Sequence, residues 1–311
     1  MPYKYLILDM NNVYWRSVLS SFKNLTSLVE NKEEEVNLNK IILPETFKRV
    51  EKIKERFGFQ DSQVYLLFDN PGSAIRRRKQ IYREYKHARD KKVVPPIFYR
   101  TLEFLETILQ YYNNNSFVIR IDDYEADDLL APLIKLLDIN DQDQCLVVSA
   151  DMDWARNINE NTHWFNYLKV YDPKVFKEEY GFNPIGNKIQ LYKAFHGDDS
   201  DNIPNAVPYC PKEVLLYLIN KYDTLKNLLS AVLSIQEIPL QWRLKIKEAE
   251  NQLKTNYLLA DFLPLDEDIR DYTMICEENI PVLKYWFNFL DIPFEARMYD
   301  PAKDDFFQAI K

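Results

Sequence analysis

Glycine is scarce: the 311 residues contain five. The chain holds neither glycine-rich phosphate loop, G-x-x-x-x-G-K-S/T or G-x-G-x-x-G, which excludes nucleotide binding of those two kinds. Cysteine and histidine are thinner still. Cys145, Cys210 and Cys276 are far apart, odd in number and without a Cys-x-x-Cys pair, so they read as reduced structural thiols. His87, His163 and His196 are too scattered for a zinc set, so any metal here is a hard cation held by oxygen. No apolar run approaches the ~20 residues of a membrane span. The start, Met1-Pro2-Tyr3-Lys4-Tyr5, lacks the charged head and long apolar stretch of a secretory signal. The expectation is a soluble cytoplasmic protein with no membrane partner. Internal repeats and low-complexity tracts are also missing.

Hydrophobic residues make up 46% of the chain, enough for two domains or one domain with a large appendage. A net charge of −8 argues by itself against a nucleic-acid partner, but its distribution matters more than its sum. Between Ile121 and Leu130 stand Asp122, Asp123, Glu125, Asp127 and Asp128, where an apolar strand becomes a helix. Like charges this close raise one another's pKa values, so the cluster must be solvated or interleaved with cations. Glu125 and Asp128 share a helix face while Asp127 points ~100° away, so the three can converge only around the helix N-terminus. Taken alone, an acidic helix start explains them equally well.

Apolar runs recur along the first half of the chain, and each exits onto acid. Tyr3 to Leu8 ends on Asp9, followed by Asn11 and Asn12; Val64 to Phe68 ends on Asp69 before the turn Asn70-Pro71-Gly72. Phe117 to Ile121 runs into the acidic cluster, and Cys145 to Val148 precedes Asp151 and Asp153. Helical passages between them begin at Val13 and at Pro44, the latter closing at Gly58, with a surface loop expected over Asn31 to Asn39. This alternation predicts βαβ units and a parallel sheet, whose ligands bind beyond the carboxyl ends of the strands. Each acid alone fits a cap or turn; their shared position at strand exits points to a metal site. From Pro173 onward the pattern is helical: Ile185–Phe195, Lys212–Asn220, Thr224–Leu233, Leu240–Asn256 and Ile280–Leu290. A second acidic turn, Gly197-Asp198-Asp199-Ser200-Asp201, interrupts it. Pro132 predicts a kink or early end in the acidic helix.

Arg76 to Lys92 carries nine positive side chains against two negative. As a helix it places Arg76, Lys79, Arg83 and Lys86 at steps of three and four with no continuous apolar stripe, so it is expected to stand away from the core. Tyr82 and Tyr85 interleave with these cations, a combination of charge and stacking surface suited to single strands. In isolation the run equally reads as a solvated face.

Together, Asp9-x-Asn11-Asn12, Phe68-Asp69, Glu84-Tyr85-Lys86-x-x-Arg89, Tyr124-Glu125-Ala126-Asp127-Asp128, Asp151-x-Asp153, Gly197-Asp198-x-Ser200-Asp201-Asn202-Ile203-Pro204 and Pro211-Lys212 resemble the 5′ nucleases: flap endonucleases, the 5′–3′ exonuclease part of bacterial DNA polymerase I, and phage counterparts. The resemblance runs from Tyr3 to about Ala260 and implies an α/β, PIN-like catalytic domain over 1–172 with a helical arch at 72–98. A helical DNA-binding region would occupy 173–311, of helix–three-turn–helix type at about 185–235. It implies that Asp9, Asp69, Glu125, Asp127 and Asp128 hold or surround one Mg²⁺ and that Asp151, Asp153, Asp198 and Asp201 serve a second, with Mn²⁺ able to substitute. Lys86 and Arg89 would face the scissile phosphate and Tyr85 would stack on a base, within a nucleic-acid surface that includes Arg76, Lys79, Tyr82, Arg83 and Lys212.

The family's glycine-rich hairpin is here Asn205-Ala206-Val207-Pro208-Tyr209-Cys210-Pro211-Lys212, which bears on duplex anchoring and on a K⁺ ion there. The implied activity is metal-assisted cleavage of DNA at 5′ ends or flaps, or of RNA primers in RNA–DNA hybrids as an RNase H, by a monomer in replication or repair beside replication proteins. In a phage-encoded chain it would act in the host cytoplasm. Rival readings are a PIN-like ribonuclease and a non-catalytic DNA-binding relative. Asp304 to Lys311 reads as a terminal helix on the body or a partner-docking peptide.

Overall fold

In the computed structural model, which describes residues 3–22, 32–59, 62–70, 72–87, 94–140 and 144–297, the first strand is central. Seven strands, β1 (Tyr5–Asp9), β2 (Gln63–Phe68), β3 (Ser116–Arg120), β4 (Cys145–Val148), β5 (Thr162–Phe165), β6 (Val170–Tyr171) and β7 (Thr273–Ile275), form one sheet in the order β6-β5-β4-β1-β2-β3-β7. β4, β1, β2 and β3 run parallel, as the βαβ pattern predicts, and β5 runs parallel to β4. β6 and β7 pair antiparallel at the two edges.

Alternation along the strands builds two cores. Ile7, Leu67, Ile119 and Val147 face one side, where they meet α5 (Ala126–Leu136), α6 (Pro173–Tyr180) and α7 (Lys188–His196). On that side the same core continues into α8 (Lys212–Lys221), α9 (Leu225–Ala231), α10 (Leu240–Glu248) and α11 (Glu250–Leu259). Leu6, Leu8, Leu66 and Val118 face the other side, against α1 (Met10–Ser21), α2 (Lys32–Phe57), α4 (Pro96–Leu109) and α12 (Ile280–Phe289). Helix α3 (Gly72–Ile81) leaves the end of β2. Among the described residues no helix is long and apolar enough to cross a membrane.

The structure corrects several boundaries. The loop expected over 31–39 is the start of α2, which begins at Lys32 and runs through Pro44. Its acids favour a helix N-terminus, and Leu38, Ile42 and Leu43 supply a buried stripe at helical spacing. α1 starts at Met10 rather than Val13 because the Asp9 side chain caps it. The single helix expected over 240–256 breaks at Ala249 into α10 and α11. α5 neither ends at nor before Pro132, and runs on to Leu136. Strands β5, β6 and β7, of two to four residues, carry too little pattern to predict. The Asp304–Lys311 segment lies outside the described residues.

Candidate active site

All four central strands deliver carboxylates to one end of the sheet, where hydrogen bonds from near and distant parts of the chain hold them. Asp9 accepts from the Asn12 backbone N–H at 2.9 Å and from Ser149 Oγ at 2.7 Å. Asn11 and Asn12 tie the exits together: their side-chain oxygens accept from the backbone N–H of Asp69 (3.0 Å) and of Ala150 (3.1 Å). Asp69 in turn accepts from the Ala126 N–H at 2.7 Å, the first residue of α5. Asp151 caps the 3₁₀ turn Met152–Asn157 by accepting from the Asp153 N–H. Asp198 accepts from both the N–H and the hydroxyl of Ser200.

Asp9, Asp69, Glu125, Asp127, Asp151, Asp153, Asp198 and Asp201 all line a single cavity of about 90 Å³. Asp128 does not line it. Its carboxylate accepts from Arg78, the Leu263 N–H and the Glu125 N–H, so it braces the α5 N-terminus from behind. Glu125, Asp127 and Asp128 each present an oxygen within 4.8 Å of the others. Asp122 and Asp123, from the same acidic stretch, turn outward to Asn70 and to the Ser73 N–H at the start of α3.

This crowding has an electrostatic signature. Burial, reinforced by Asp69, pushes Asp9 up to about 8. Asp153 is pushed up to about 6 by burial against the opposing pull of Lys193. Burial and the Asp128 charge raise Asp127 well above the usual carboxylate range.

Three cations offset the acids. Lys193 Nζ lies 2.7 Å from Asp153, 2.9 Å from Asp198 and 3.8 Å from Asp151. Arg78 bonds Glu125 at 2.6 Å and Asp128 at 3.1 Å, and donates to the Asp261 carbonyl. Lys86 donates to Glu125, with Asp201 at 3.9 Å. The expectation that the basic segment stands off the core is therefore corrected. Arg78, Tyr85 and Lys86 are buried, because charge pairing replaces the apolar stripe that the segment lacks. Tyr85, expected to stack on a base, packs with Ile203 and Leu259 and donates its hydroxyl to Asp201. Arg76 and Arg83 stay exposed, Lys79 and Tyr82 are half-buried, and Lys212 is exposed at the start of α8. Arg89 lies outside the described residues.

The donor set suits divalent ions. It is all oxygen, and two carboxylate oxygens, Asp127 Oδ1 and Asp153 Oδ1, are buried without a hydrogen-bond partner. Residues of five chain segments meet there, so the site depends on tight turns. Gly197 has φ +76°, and a Cβ there would lie 2.4 Å from the Ile203 carbonyl oxygen. Gly197→Ala is expected to destabilise the chain by about 2 kcal/mol or more, measured by denaturant unfolding; a loss within ~0.5 kcal/mol would contradict the turn's role.

A parallel sheet whose strand ends pool carboxylates in one pocket, braced by buried cations, defines an α/β protein with a candidate divalent-metal site. The chain belongs to the 5′–3′ exonuclease family: the model of its N-terminal resolvase-like domain matches residues 4–181. A 5′-3′ exonuclease of Buchnera aphidicola subsp. Schizaphis graminum is 29% identical over 268 residues, 85% of this chain and 86% of that protein. The flap endonuclease Xni of a Shewanella species is 26% identical over 216 residues, 68% and 77% of the two chains. Among solved structures, the bacteriophage T5 flap endonuclease complexed with DNA and metal ions superposes with a TM-score of 0.59 at 17% identity, covering 94% of this chain and 98% of that one. That likeness shows the shared fold.

Sequence reasoning missed Lys193 and did not separate Arg78 from its basic neighbours. A signal for Lys193 existed: it is a charged residue within Gln190-Leu191-Tyr192-Lys193-Ala194-Phe195, a mostly apolar stretch three to eight residues before the acidic turn. The linking roles of Asn11, Asn12 and Ser149 leave no such trace.

Proposed function

We propose that the chain is a divalent-metal-dependent nuclease that hydrolyses DNA phosphodiesters at or near 5′ ends and flaps, with Mg²⁺ as the working ion. The observation that carries this reading is the convergence of eight of the nine expected acids, from five chain segments, on one cavity that retains two unpartnered buried carboxylate oxygens. Asp9, Asp69, Glu125 and Asp127 would hold one ion, with Asp128 bracing them, and Asp151, Asp153, Asp198 and Asp201 a second. When bound, such ions stabilise phosphate negative charge and make water more acidic. Lys86, already at the Glu125 edge of the cavity, supplies positive charge as phosphate charge develops, and Arg89 would join it. Lys193 holds Asp151, Asp153 and Asp198 within reach of one another.

Catalysis falls to the sheet end together with Lys193, Asp198 and Asp201 from beyond residue 172, and duplex contact to the other helices beyond that residue. In the 205–212 hairpin the N–H groups of Ala206, Val207 and Cys210 are spent on Phe195, Asn205 and Val207, and Pro208 and Pro211 have none. Backbone clasping of phosphate, and of a K⁺ ion with it, is thereby reduced, and duplex contact falls to side chains such as Lys212 and the exposed Tyr209. Arg76, Lys79, Tyr82 and Arg83 offer the single strand a charged and aromatic path.

The test incubates the chain with 5′-labelled flap, nicked and blunt DNA, and with matched RNA flaps, with and without Mg²⁺. Mg²⁺-dependent products released from the 5′ side of DNA support the reading. Cleavage of RNA alone would favour the ribonuclease, and no cleavage of any substrate the non-catalytic relative.

A further inference from the structure

Next to the acid cavity lies a second pocket of about 500 Å³, within the range of about 300–1,000 Å³ that ligand sites take. The two share Asp151, Lys193 and Asp198 as a common wall, and none of Arg78, Tyr85 or Lys86 reaches the second. Met152, Tyr192 and His196 also line it and do not line the acid cavity. Phe182, Tyr192 and His196 form a column of near-parallel rings, with centroids 5.6 Å and 5.2 Å apart and planes within 24° and 13°. Phe182 is fully buried, Tyr192 half-buried and His196 exposed, so the column ends in the pocket on a ring open to solvent. His196 is the last residue of α7, held there by the Gly197 turn.

We infer that this pocket is a nucleobase subsite, in which His196 stacks on the base of the cleaved strand that lies just beyond the scissile phosphate on the Asp151–Asp198 side. The inference rests on the nuclease reading of the neighbouring cavity. A strand whose phosphate sits among the eight acids has its adjoining base within one nucleotide of the shared wall. The pocket selects a base over a second phosphate, because Asp151, Asp198 and Asp199 border it and the ammonium of Lys193 is already engaged by Asp153 and Asp198. Unpaired bases bind on aromatic faces, histidine included, and stacking of this kind tolerates any sequence. Met152 adds a polarisable thioether to the pocket lining.

The experiment moves a single abasic nucleotide, one position at a time, across the cut site of a fluorescent 5′-flap DNA. Binding is read in Ca²⁺ by anisotropy and cleavage in Mg²⁺, for the parent, His196→Ala and His196→Phe. One abasic position is expected to weaken the parent's binding about tenfold, as for loss of one stacked base. His196→Ala should lose the same factor on intact DNA and nothing further at that position, while His196→Phe restores parent binding. A His196→Ala protein that binds like the parent, or losses that multiply when both changes are combined, overturns the subsite while the parent's cleavage leaves the nuclease reading standing. A parent that neither binds nor cuts overturns both. An unchanged melting temperature in His196→Ala separates lost stacking from lost folding.

Discussion

Asp153→Asn is expected to lower the rate of DNA cleavage by on the order of 10²–10³-fold or more while leaving the fold intact. The substitution keeps the shape of the side chain and removes the charge of a buried carboxylate whose Oδ1 has no hydrogen-bond partner and whose other oxygen meets Lys193. An ordinary structural acid would be missed when neutralised. Here burial already works against the charged form, which is why Asp153 is pushed up to about 6. Lys193 also keeps Asp198 at 2.9 Å, so removing the charge leaves no buried cation stranded. Metal-free stability near neutral pH should therefore hold within about 1 kcal/mol. Rapid-quench kinetics on a labelled flap and denaturant unfolding measure the two quantities. Cleavage within a few-fold of the parent, or loss of activity together with loss of the fold, would remove Asp153 from the catalytic set.

Arg78→Ala should do the reverse, costing stability first. Its guanidinium is buried and engages Glu125, Asp128 and the Asp261 carbonyl, so truncation takes a cation away from two carboxylates, of which Asp128 is already raised by burial. Breaking a buried pair by removing one partner costs about 3–5 kcal/mol. The loss should shrink as pH falls and the stranded acids take up protons. Mg²⁺ should recover part of it by replacing the missing positive charge. Arg78→Lys should fall short of the parent, because Arg78 bonds Glu125 with one guanidinium nitrogen and Asp128 with the other, a planar fork that the shorter reach of one ammonium nitrogen does not reproduce. Urea unfolding of the three proteins with and without Mg²⁺ decides this, and a loss below about 1 kcal/mol would show that solvent rather than Arg78 sustains the acids.

How much of this was legible depended on the range of the interaction concerned. Strands β1 to β4 could be read because three to five consecutive apolar residues carry their own signal, and the acids that follow could be read because they lie within a few residues of each run. The resemblance then named nine acids, of which the structure gathers eight around the cavity and places Asp128 behind its wall. What stayed hidden were partners distant in the chain. Ser149 holds Asp9 from 140 residues away, and Arg78 reaches Asp261 across 183. No local pattern records such a pairing. The basic segment shows the same limit: the absence of an apolar stripe argued for solvent, yet Arg78, Tyr85 and Lys86 are buried by acids that only the folded chain brings near. α2 was cut short for a related reason. Its acidic first turn resembles a loop until Leu38 and Ile42 are seen packed against the core.

The central claim is that the acids share one pocket and need divalent cations to be charged together. Thermal unfolding with and without Mg²⁺, followed across pH, tests it most directly. An acid whose folded pKa is raised contributes stability that is whole below its unfolded value of about 4 and is lost as pH climbs through the folded value. For Asp153 and Asp9 those folded values are about 6 and about 8, so the metal-free chain should weaken steadily across that window. Mg²⁺ at ~100-fold above its Kd should raise the melting temperature by about 3–8 °C above roughly pH 8, and by little near pH 5, where protons occupy the site. A melting temperature indifferent to Mg²⁺ at every pH would mean that these carboxylates do not form a metal site.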